Sequence, residues 1–480
     1  MSAFQRALER LKQFNRFVLE TPELRAWFVD GDYNFLQAYQ VFLFLDFVNA
    51  SGMHWGAAPA GEDGAAPLRV RLRQLFALAW SLGSYLWIVA SRRRVLFYSP
   101  DRETHRAYHC DFRISNLYRC LFEQNAGFAE IFHTIFDEQL AGRALLRRRA
   151  VLYLETIDVL YKLGRALRLA DVRPAPQAPV ISGEEAKLFG ALVATYAERV
   201  NQSRFRIRVL RRLLKMTNIQ VAIGSADMRY YQEIYAACGE LGIKTYGFQS
   251  GNISKYNVEY LDYGAAQSTV IKPSVLLMES GFWKRELLRW GTYYAPDEVR
   301  VGGNIKEDYH PASPAPRRVG QDITVLVPYE IIAAKEEVLA YVKKLLPLPG
   351  VSVVFKFRPD RDLASQVRDY GLGGLPGNFK AVTNLSEIDG FDVVAGCYSS
   401  FLYEMIGALK PVAMLKTSLD WGESLIVNDL AKEISLDDPG LLQALKDIAH
   451  TDQATLQRRR EKLFGEVVPL AETLGSLLGF

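Results

Sequence analysis

The sequence predicts an α/β protein with two domains, each built on a parallel β-sheet, between a helical N-terminal region and a helical C-terminal tail. The chain has 480 residues, which is enough for two large domains. Short apolar stretches typical of buried strands alternate with helical stretches between Val95 and Leu430. Strand, helix and strand follow one another in Asn218–Ile253, the order of a βαβ unit with a right-handed crossover.

The composition is that of an ordinary globular protein. Hydrophobic residues make up 49% and charged residues 23% of the chain, and the formal net charge is +4. These values exclude a disordered chain or a coiled coil and do not favour a protein that coats nucleic acid. The four cysteines are scattered and form no CxxC pair, so we expect no zinc site and a reducing, cytoplasmic location.

The N-terminal region is predicted to be helical and begins without the apolar core of a signal peptide. Its most apolar stretch, Leu75–Ala90, is shorter than the ~20 residues that span a bilayer. A buried helix is the favoured interpretation. The alternative is peripheral membrane contact at the inner face of the membrane, with Trp80, Trp87 and the following arginines near the headgroups.

The alternation of elements suggests boundaries for four regions. Residues 1–93 are the helical region, and residues 94–272 are a Rossmann-like domain expected on the acceptor side of a cleft. Residues 273–430 form a second Rossmann-like domain, and residues 431–480 are helices that could cross back to the first domain. Ligands of such sheets bind at the carboxyl ends of the strands, so we expect the functional residues there.

A pair of serines begins a helix after a buried strand of the second domain. Ser399 and Ser400 lie where free backbone N–H groups and the helix dipole favour an anion such as phosphate, and Glu404 follows in the first turn. Serine is also a favoured N-cap residue, so simple capping is the alternative.

Two cations and a glycine turn follow other predicted strands of the second domain. Lys356 and Arg358 alternate along one strand end and suit a diphosphate or an acidic sugar, although a solvated pair would look the same. Gly302, Gly303 and Asn304 form a turn that would let a ligand approach the backbone.

A carboxylate and an amide-rich turn complete the candidates. Glu330 ends a strand and could accept hydrogen bonds from a ribose or a base, or cap the next helix. Gln249, Ser250 and Gly251 face the expected cleft from the first domain and suit sugar recognition, or simply form a tight turn.

In this order, these motifs resemble the GT-B glycosyltransferases, and more closely the bacterial surface-polysaccharide branch with sialyl- and Kdo-transferases. The resemblance covers roughly Val95 to Leu430. In those sialyltransferases a Ser-Ser motif and a His-Pro motif hold the CMP part of the donor. Ser399–Ser400 matches the first, and Arg358–Pro359 takes the place of the second with arginine for histidine. Gln249–Ser250–Gly251 looks like a Gln-His-Gly turn without its histidine.

The resemblance implies a transferase that uses a nucleotide-sugar donor, with CMP favoured, and a glycan, lipid or protein acceptor in lipopolysaccharide or capsule biosynthesis. An acidic residue of the first domain would be the general base, and Asp227 at a strand end is the preferred candidate, or it caps the following helix. No metal motif is present at a strand end, so we expect a reaction without metal or cofactor. A CDP-glycerol-type polymer transferase and a non-catalytic GT-B scaffold are the alternatives.

Overall fold

In the computed structural model the chain forms two parallel β-sheets flanked by helices, which confirms the predicted α/β class with two Rossmann-like domains. The structure describes residues 3–29, 31, 33–51, 68–99, 110, 114–124, 127–132, 149–167, 172–174, 176, 184–225, 232–249, 251–265, 270–305, 322–330, 334–358 and 362–479.

A layer of helices precedes the first strand. These helices are α1 (Ala3–Glu20), α2 (Pro22–Phe28), α3 (Phe35–Ala38), α4 (Gln40–Ala50) and α5 (Leu68–Ser91). In α1, Phe4, Leu8, Leu11 and Phe14 are buried on one face because residues three or four apart share a side of a helix. That face packs on α2 and α4, so most of the aromatic content of this region is core.

The first sheet has the order β3-β2-β1-β4-β5-β6-β7 within the described part of the chain. Its strands are β1 (Val95–Ser99), β2 (Phe128–Phe132), β3 (Ala150–Tyr153), β4 (Val221–Ser225), β5 (Lys244–Phe248), β6 (Val275–Met278) and β7 (Val299–Val301). Its helices are α6 (Ser115–Glu123), α7 (Glu155–Ala166), α8 (Glu184–Lys215), α9 (Gln232–Glu240) and α10 (Gly281–Arg289). The strands are largely apolar because helices cover both faces of a parallel sheet.

The second sheet has the order β10-β9-β8-β11-β12-β13. Its strands are β8 (Ile323–Pro328), β9 (Val351–Lys356), β10 (Phe379–Val382), β11 (Val393–Gly396), β12 (Val412–Leu415) and β13 (Lys432–Ile434). The accompanying helices are α11 (Lys335–Leu345), α12 (Leu363–Asp369), a 3-10 turn (Leu385–Glu387), α13 (Phe401–Gly407), α14 (Glu423–Val427), α15 (Leu441–Ala449), α16 (Gln453–Phe464) and α17 (Leu470–Leu478).

Both sheets reverse their strand order at one point, as doubly wound sheets do. The reversal lies between β1 and β4 in the first sheet and between β8 and β11 in the second. The loops that leave two such strands run to opposite faces of the sheet and leave a crevice at their carboxyl ends, where ligands of this architecture bind. The β8–β11 crevice lies in the described part of the chain.

Two predicted domain boundaries are wrong. The first domain was expected to end at residue 272, but β6 and β7 pair in parallel with β5 and complete the first sheet. The second was expected to end at residue 430, but β13 pairs with β12. Regular strand–helix alternation continues through both predicted boundaries, and alternation alone does not reveal which sheet a strand joins.

The C-terminal tail crosses back to the first domain, as the sequence suggested. Helix α16 contacts α10 of the first domain and α13 of the second. Helix α17 packs on α6, where Leu470, Leu474 and Leu478 are buried in one cluster with Ile114 and Leu117. The tail therefore ties the two domains together.

Replacing Leu474, which is fully buried, with alanine should lower the free energy of unfolding by about 2–5 kcal/mol, because it leaves a cavity between α17 and α6. Urea denaturation followed by tryptophan fluorescence measures this. Ser476→Ala, on the exposed side of the same helix, is the control. Equal stability of the two variants would contradict the packing of α17 on α6.

Candidate functional site

A buried carboxylate joins the two loops of the β8–β11 crevice. Glu330 follows β8, and its side chain accepts hydrogen bonds from the backbone N–H groups of Cys397 (2.8 Å), Tyr398 (3.1 Å) and Ser399 (2.8 Å) after β11. The residue is only 2% exposed. The Glu330 carboxylate is therefore taken up by the backbone after β11 and is not open to a ribose or a base, so its prediction as a direct donor contact is wrong.

The backbone at Gly396 allows this approach. A Cβ atom there would lie 2.5 Å from Oε1 of Glu330, so any larger residue would push the carboxylate away. The close approach of the Glu330 side chain therefore favours glycine at this position.

Burial raises the pKa of Glu330 from its ordinary value of 4.5 to about 7, and the three N–H bonds lower it only in part. The carboxylate therefore changes charge near neutral pH. Between pH 4.5 and about 7, the folded state therefore holds a proton on Glu330 that the unfolded chain has released.

The turn of residues 397–400, called the serine turn below, has two roles. Three of its N–H groups bond to Glu330, and the Ser399 hydroxyl accepts a hydrogen bond from Phe401 N–H at 3.3 Å, as in capping. The phosphate site predicted at these N–H groups is therefore filled by the protein itself. Ser400, the N-cap residue of α13, makes no capping bond with its half-buried side chain in the described structure, which leaves its hydroxyl for another partner.

Each of the two predicted cations lies over an aromatic ring of the loops that border the crevice. The Lys356 ammonium is 5.1 Å from the ring centre of Phe401, at the start of α13. The Arg358 guanidinium is 4.8 Å from the ring centre of Tyr329, which precedes Glu330, and Arg358 is exposed. Neither cation has an ion-pair partner within the described residues. Each is held over an aromatic face, which orients it without neutralising its charge.

Burial lowers the pKa of Lys356, and the nearby Glu404 carboxylate favours the charged form. Lys356 and Glu404 are therefore neighbours, and the grouping of these two residues with Arg358 and Ser400 as a donor site stays a prediction. The sequence missed the rings of Tyr329 and Phe401, although each is one or two residues from a predicted site residue.

The glycine turn of Gly302, Gly303 and Asn304 lies elsewhere. It follows β7 of the first sheet, and a Cβ at Gly303 would lie 2.4 Å from the carbonyl oxygen of Val468. The Asn304 carbonyl accepts a hydrogen bond from Asn116 at 2.7 Å. The predicted donor contact is wrong, because the turn packs against the chain's own C-terminal segment.

The first-domain candidates are only partly described. Gln249 is buried, and its amide donates to the Gly251 carbonyl at 2.7 Å and accepts from the N–H of Glu279 at 3.0 Å. This is the turn-forming alternative, so the amide of Gln249 is not an acceptor contact. Gly251 is half-buried, and no described residue lies within 4 Å of the place where its Cβ would be; Ser250 and Asp227 lie outside the described residues.

The carboxyl ends of the two sheets face each other. Asn252, after β5, donates to the Tyr398 carbonyl at 3.5 Å. Lys255 and Tyr256 bond to Asp420, which follows β12. The crevice between β8 and β11 therefore opens towards the loop that contains Gly251.

An aromatic chain that the sequence did not predict supports this cleft. The Tyr398 and Trp421 ring centres are 3.7 Å apart, and Trp421 contacts Phe4 of α1 at 4.9 Å. The N-terminal helix thus reaches a residue of the serine turn through one intermediate ring.

The described residues contain no group of three or more His, Cys, Asp or Glu side chains that could hold a metal ion. The cysteines are buried free thiols at positions 110, 120, 238 and 397.

No family model and no curated protein matches the sequence. Among solved structures, the chain is similar to the calicheamicin glycosyltransferase CalG4 (TM-score 0.48, 12% identity, covering 81% of this chain and 99% of that chain). It is also similar to the glycotransferase of kitacinnamycin (TM-score 0.49, 13% identity, covering 81% of this chain and 98% of that chain). A third similar structure is the glycosyltransferase VinC in complex with dTDP (TM-score 0.46, 14% identity, covering 80% of this chain and 98% of that chain). At this distance no function of the chain follows from the likeness.

Replacing Glu330 with glutamine should remove one pH dependence of stability. In the wild type, the stability due to the raised pKa is complete below pH 4.5 and is lost as the pH rises through about 7. The unfolding free energy of wild type minus that of E330Q should therefore fall by about 3 kcal/mol between pH 4 and 8.

Urea denaturation at several pH values measures this difference, with Glu336→Gln, an exposed carboxylate 85% open to solvent, as the control. A difference between wild type and E330Q that stays constant with pH would contradict a raised Glu330 pKa.

Proposed function

We propose that the chain is a glycosyltransferase that moves a sugar from a nucleotide-activated donor to a glycan, lipid or protein acceptor. The observation that carries this proposal is the placement of Lys356, Arg358 and Ser400 around the β8–β11 crevice, which opens towards the first sheet. One domain can then hold the donor while the loops of the other domain present the acceptor.

A CMP-linked acidic sugar is the favoured donor. Such a donor carries two separate anions, the phosphate of CMP and the carboxylate of the sugar. Lys356 and Arg358 are held over two different aromatic rings, Phe401 after β11 and Tyr329 after β8. Two cations so placed suit two distinct anions better than a single phosphate.

The proposed reaction needs no metal ion. Negative charge grows on the phosphate as CMP departs, and Lys356, Arg358 and the Ser400 hydroxyl would stabilise it from fixed positions. Glu330 would act indirectly by holding the turn that presents Ser400. Asp227 is proposed as the general base for the acceptor hydroxyl, with Ser250 and Gly251 on the acceptor side.

Surface-polysaccharide biosynthesis at the cytoplasmic side of a membrane is the proposed setting. Lipopolysaccharide and capsule are both built from activated sugars, and a CMP-linked acidic sugar is one such donor. The proposed setting rests on the proposed donor class.

A non-catalytic nucleotide-binding scaffold is the second candidate. The Glu330 carboxylate favours it, because this carboxylate occupies N–H groups at the turn where a donor phosphate was expected. A scaffold of this kind would bind nucleotide without releasing CMP from a donor, and hydrolysis or transfer of the sugar separates the two.

A thermal-shift screen against CMP, CDP, UDP, GDP and dTDP should show selective stabilisation by CMP, because a ligand of the native state raises the melting temperature. Stabilisation by CDP alone would favour a CDP-glycerol-type polymer transferase. UDP, GDP or dTDP would indicate a hexose donor, and a lack of any shift would contradict a nucleotide site.

Lys356→Gln and Arg358→Gln should each weaken binding of a CMP-linked acidic sugar about ten- to a hundredfold, because each removes a charged hydrogen bond worth about 1.5–3 kcal/mol. Titration calorimetry gives the dissociation constants. Lys343→Gln, an exposed lysine on α11, is the matched control and should bind as the wild type does. Unchanged affinity in both test variants would place the phosphate elsewhere.

Alanine variants of the two serines should differ in whether they lose stability or CMP binding. Ser399→Ala should cost about 1 kcal/mol of stability because it removes the cap on Phe401 N–H. Ser400→Ala should leave stability unchanged and weaken CMP binding about two- to tenfold. Ser352→Ala, on an exposed position of β9, is the control, and the opposite pattern would refute the assigned roles.

A further inference from the structure

The outward face of α5 carries large apolar side chains. Leu75, Leu82 and Leu86 are each 60% exposed, and Phe76 is 63% exposed. The spacing of the three leucines places them along one side of the helix. The sequence favoured a buried helix here, and this is wrong, since only 22% of the stretch Gln74–Ser91 is buried.

The inward face of α5 is made of smaller and more polar residues. Ala77, Ser81, Ser84 and Ile88 are buried there. The hydroxyl of Ser81 accepts a hydrogen bond from Tyr153 N–H of β3 at 3.2 Å. A surface helix normally turns its large apolar residues to the core and its polar residues to water. In α5 this polarity is reversed, which indicates that the outer face meets something other than water.

Helix α7 extends the apolar surface. It contacts α5, and Leu160, Leu163 and Leu167 in or just after it are 39%, 51% and 66% exposed. Exposed leucines on two neighbouring helices form an apolar area of a kind that is unusual on a soluble monomer.

The charges at the two ends of α5 are positive, whereas α7 carries both acidic and basic residues. The sequence has no charged residue from Gln74 to Ser91, and arginines precede and follow this stretch at positions 69, 71, 73, 92, 93 and 94. Arg92 and Arg94, at the carboxyl end of α5, are exposed. An uncharged leucine face between groups of arginines complements a bilayer with anionic headgroups.

The packing of α5 excludes a transmembrane orientation in this fold. The helix is long and apolar enough to cross a membrane by length and composition. Its inner face, however, packs on β3 and is hydrogen-bonded to it through Ser81. Lipid can therefore reach only the outer face, and the helix would lie in the plane of the membrane surface.

We propose that the outer faces of α5 and α7 form a membrane-docking surface that inserts its leucines into a bilayer containing anionic lipids. This surface lies at the β3 edge of the first sheet, and the inference does not depend on the nucleotide proposed for the β8–β11 crevice.

Sedimentation with vesicles tests the apolar part without any nucleotide. The wild type should bind vesicles of phosphatidylcholine and phosphatidylglycerol. Leu82→Glu combined with Leu86→Glu should reduce binding more than about tenfold, because two leucines no longer enter the bilayer. Leu163→Glu on α7 should reduce it less. Val427→Glu, 61% exposed on α14, is the matched control and should bind as the wild type does.

The electrostatic part has its own test. Arg92→Gln with Arg94→Gln should weaken binding to the anionic vesicles about fivefold per arginine and leave the weaker binding to pure phosphatidylcholine unchanged. Melting temperatures within about one degree of wild type show that the variants fold. Any one of three outcomes would overturn the proposal. The wild type could bind no vesicles, the leucine variants could bind vesicles as well as the wild type does, or the protein could form a leucine-dependent dimer that binds no vesicles.

Discussion

The interaction of Glu330 with the three N–H groups after β11 is the constraint on which the candidate site depends. It joins the loops on the two sides of the crevice and fixes the turn that carries Ser400. The same loops carry Tyr329 and Phe401, the rings beneath the two cations. Because the carboxylate satisfies N–H groups that would otherwise attract an anion, a ligand must use the cations and the Ser400 hydroxyl instead.

The rest of the fold keeps this crevice opposite the first sheet. Ser424 and Asn428 of the second domain bond to the buried Glu286 of α10, and Lys255 bonds to Asp420. Helix α17 returns to α6, while α1 reaches Trp421 through Phe4. These contacts involve both ends of the chain, so the relative position of the domains is specified by tertiary packing and not by a single linker.

The sequence predicted the features that depend on local order. Strand–helix alternation predicted the α/β class, and Lys356, Arg358 and Ser400 were predicted as site residues because they follow strand ends. It failed where the outcome depends on distant partners. The carboxylate of Glu330 fits both a ligand and the N–H groups of residues 397–399, and only the fold distinguishes them. The turn at Gly302–Gly303 is filled by Val468, which is far away in sequence. Helix α5 is apolar on most sides, so periodicity could not show which side is buried.

A crystal structure of the chain with CMP tests the central claim most directly, because it locates both the nucleotide and the carboxylate. The account predicts a phosphate within hydrogen-bond distance of Lys356 or Arg358 and of the Ser400 hydroxyl, with Glu330 still bonded to the three N–H groups. A nucleotide bound at the first sheet, or a phosphate on those N–H groups with Glu330 displaced, would contradict it.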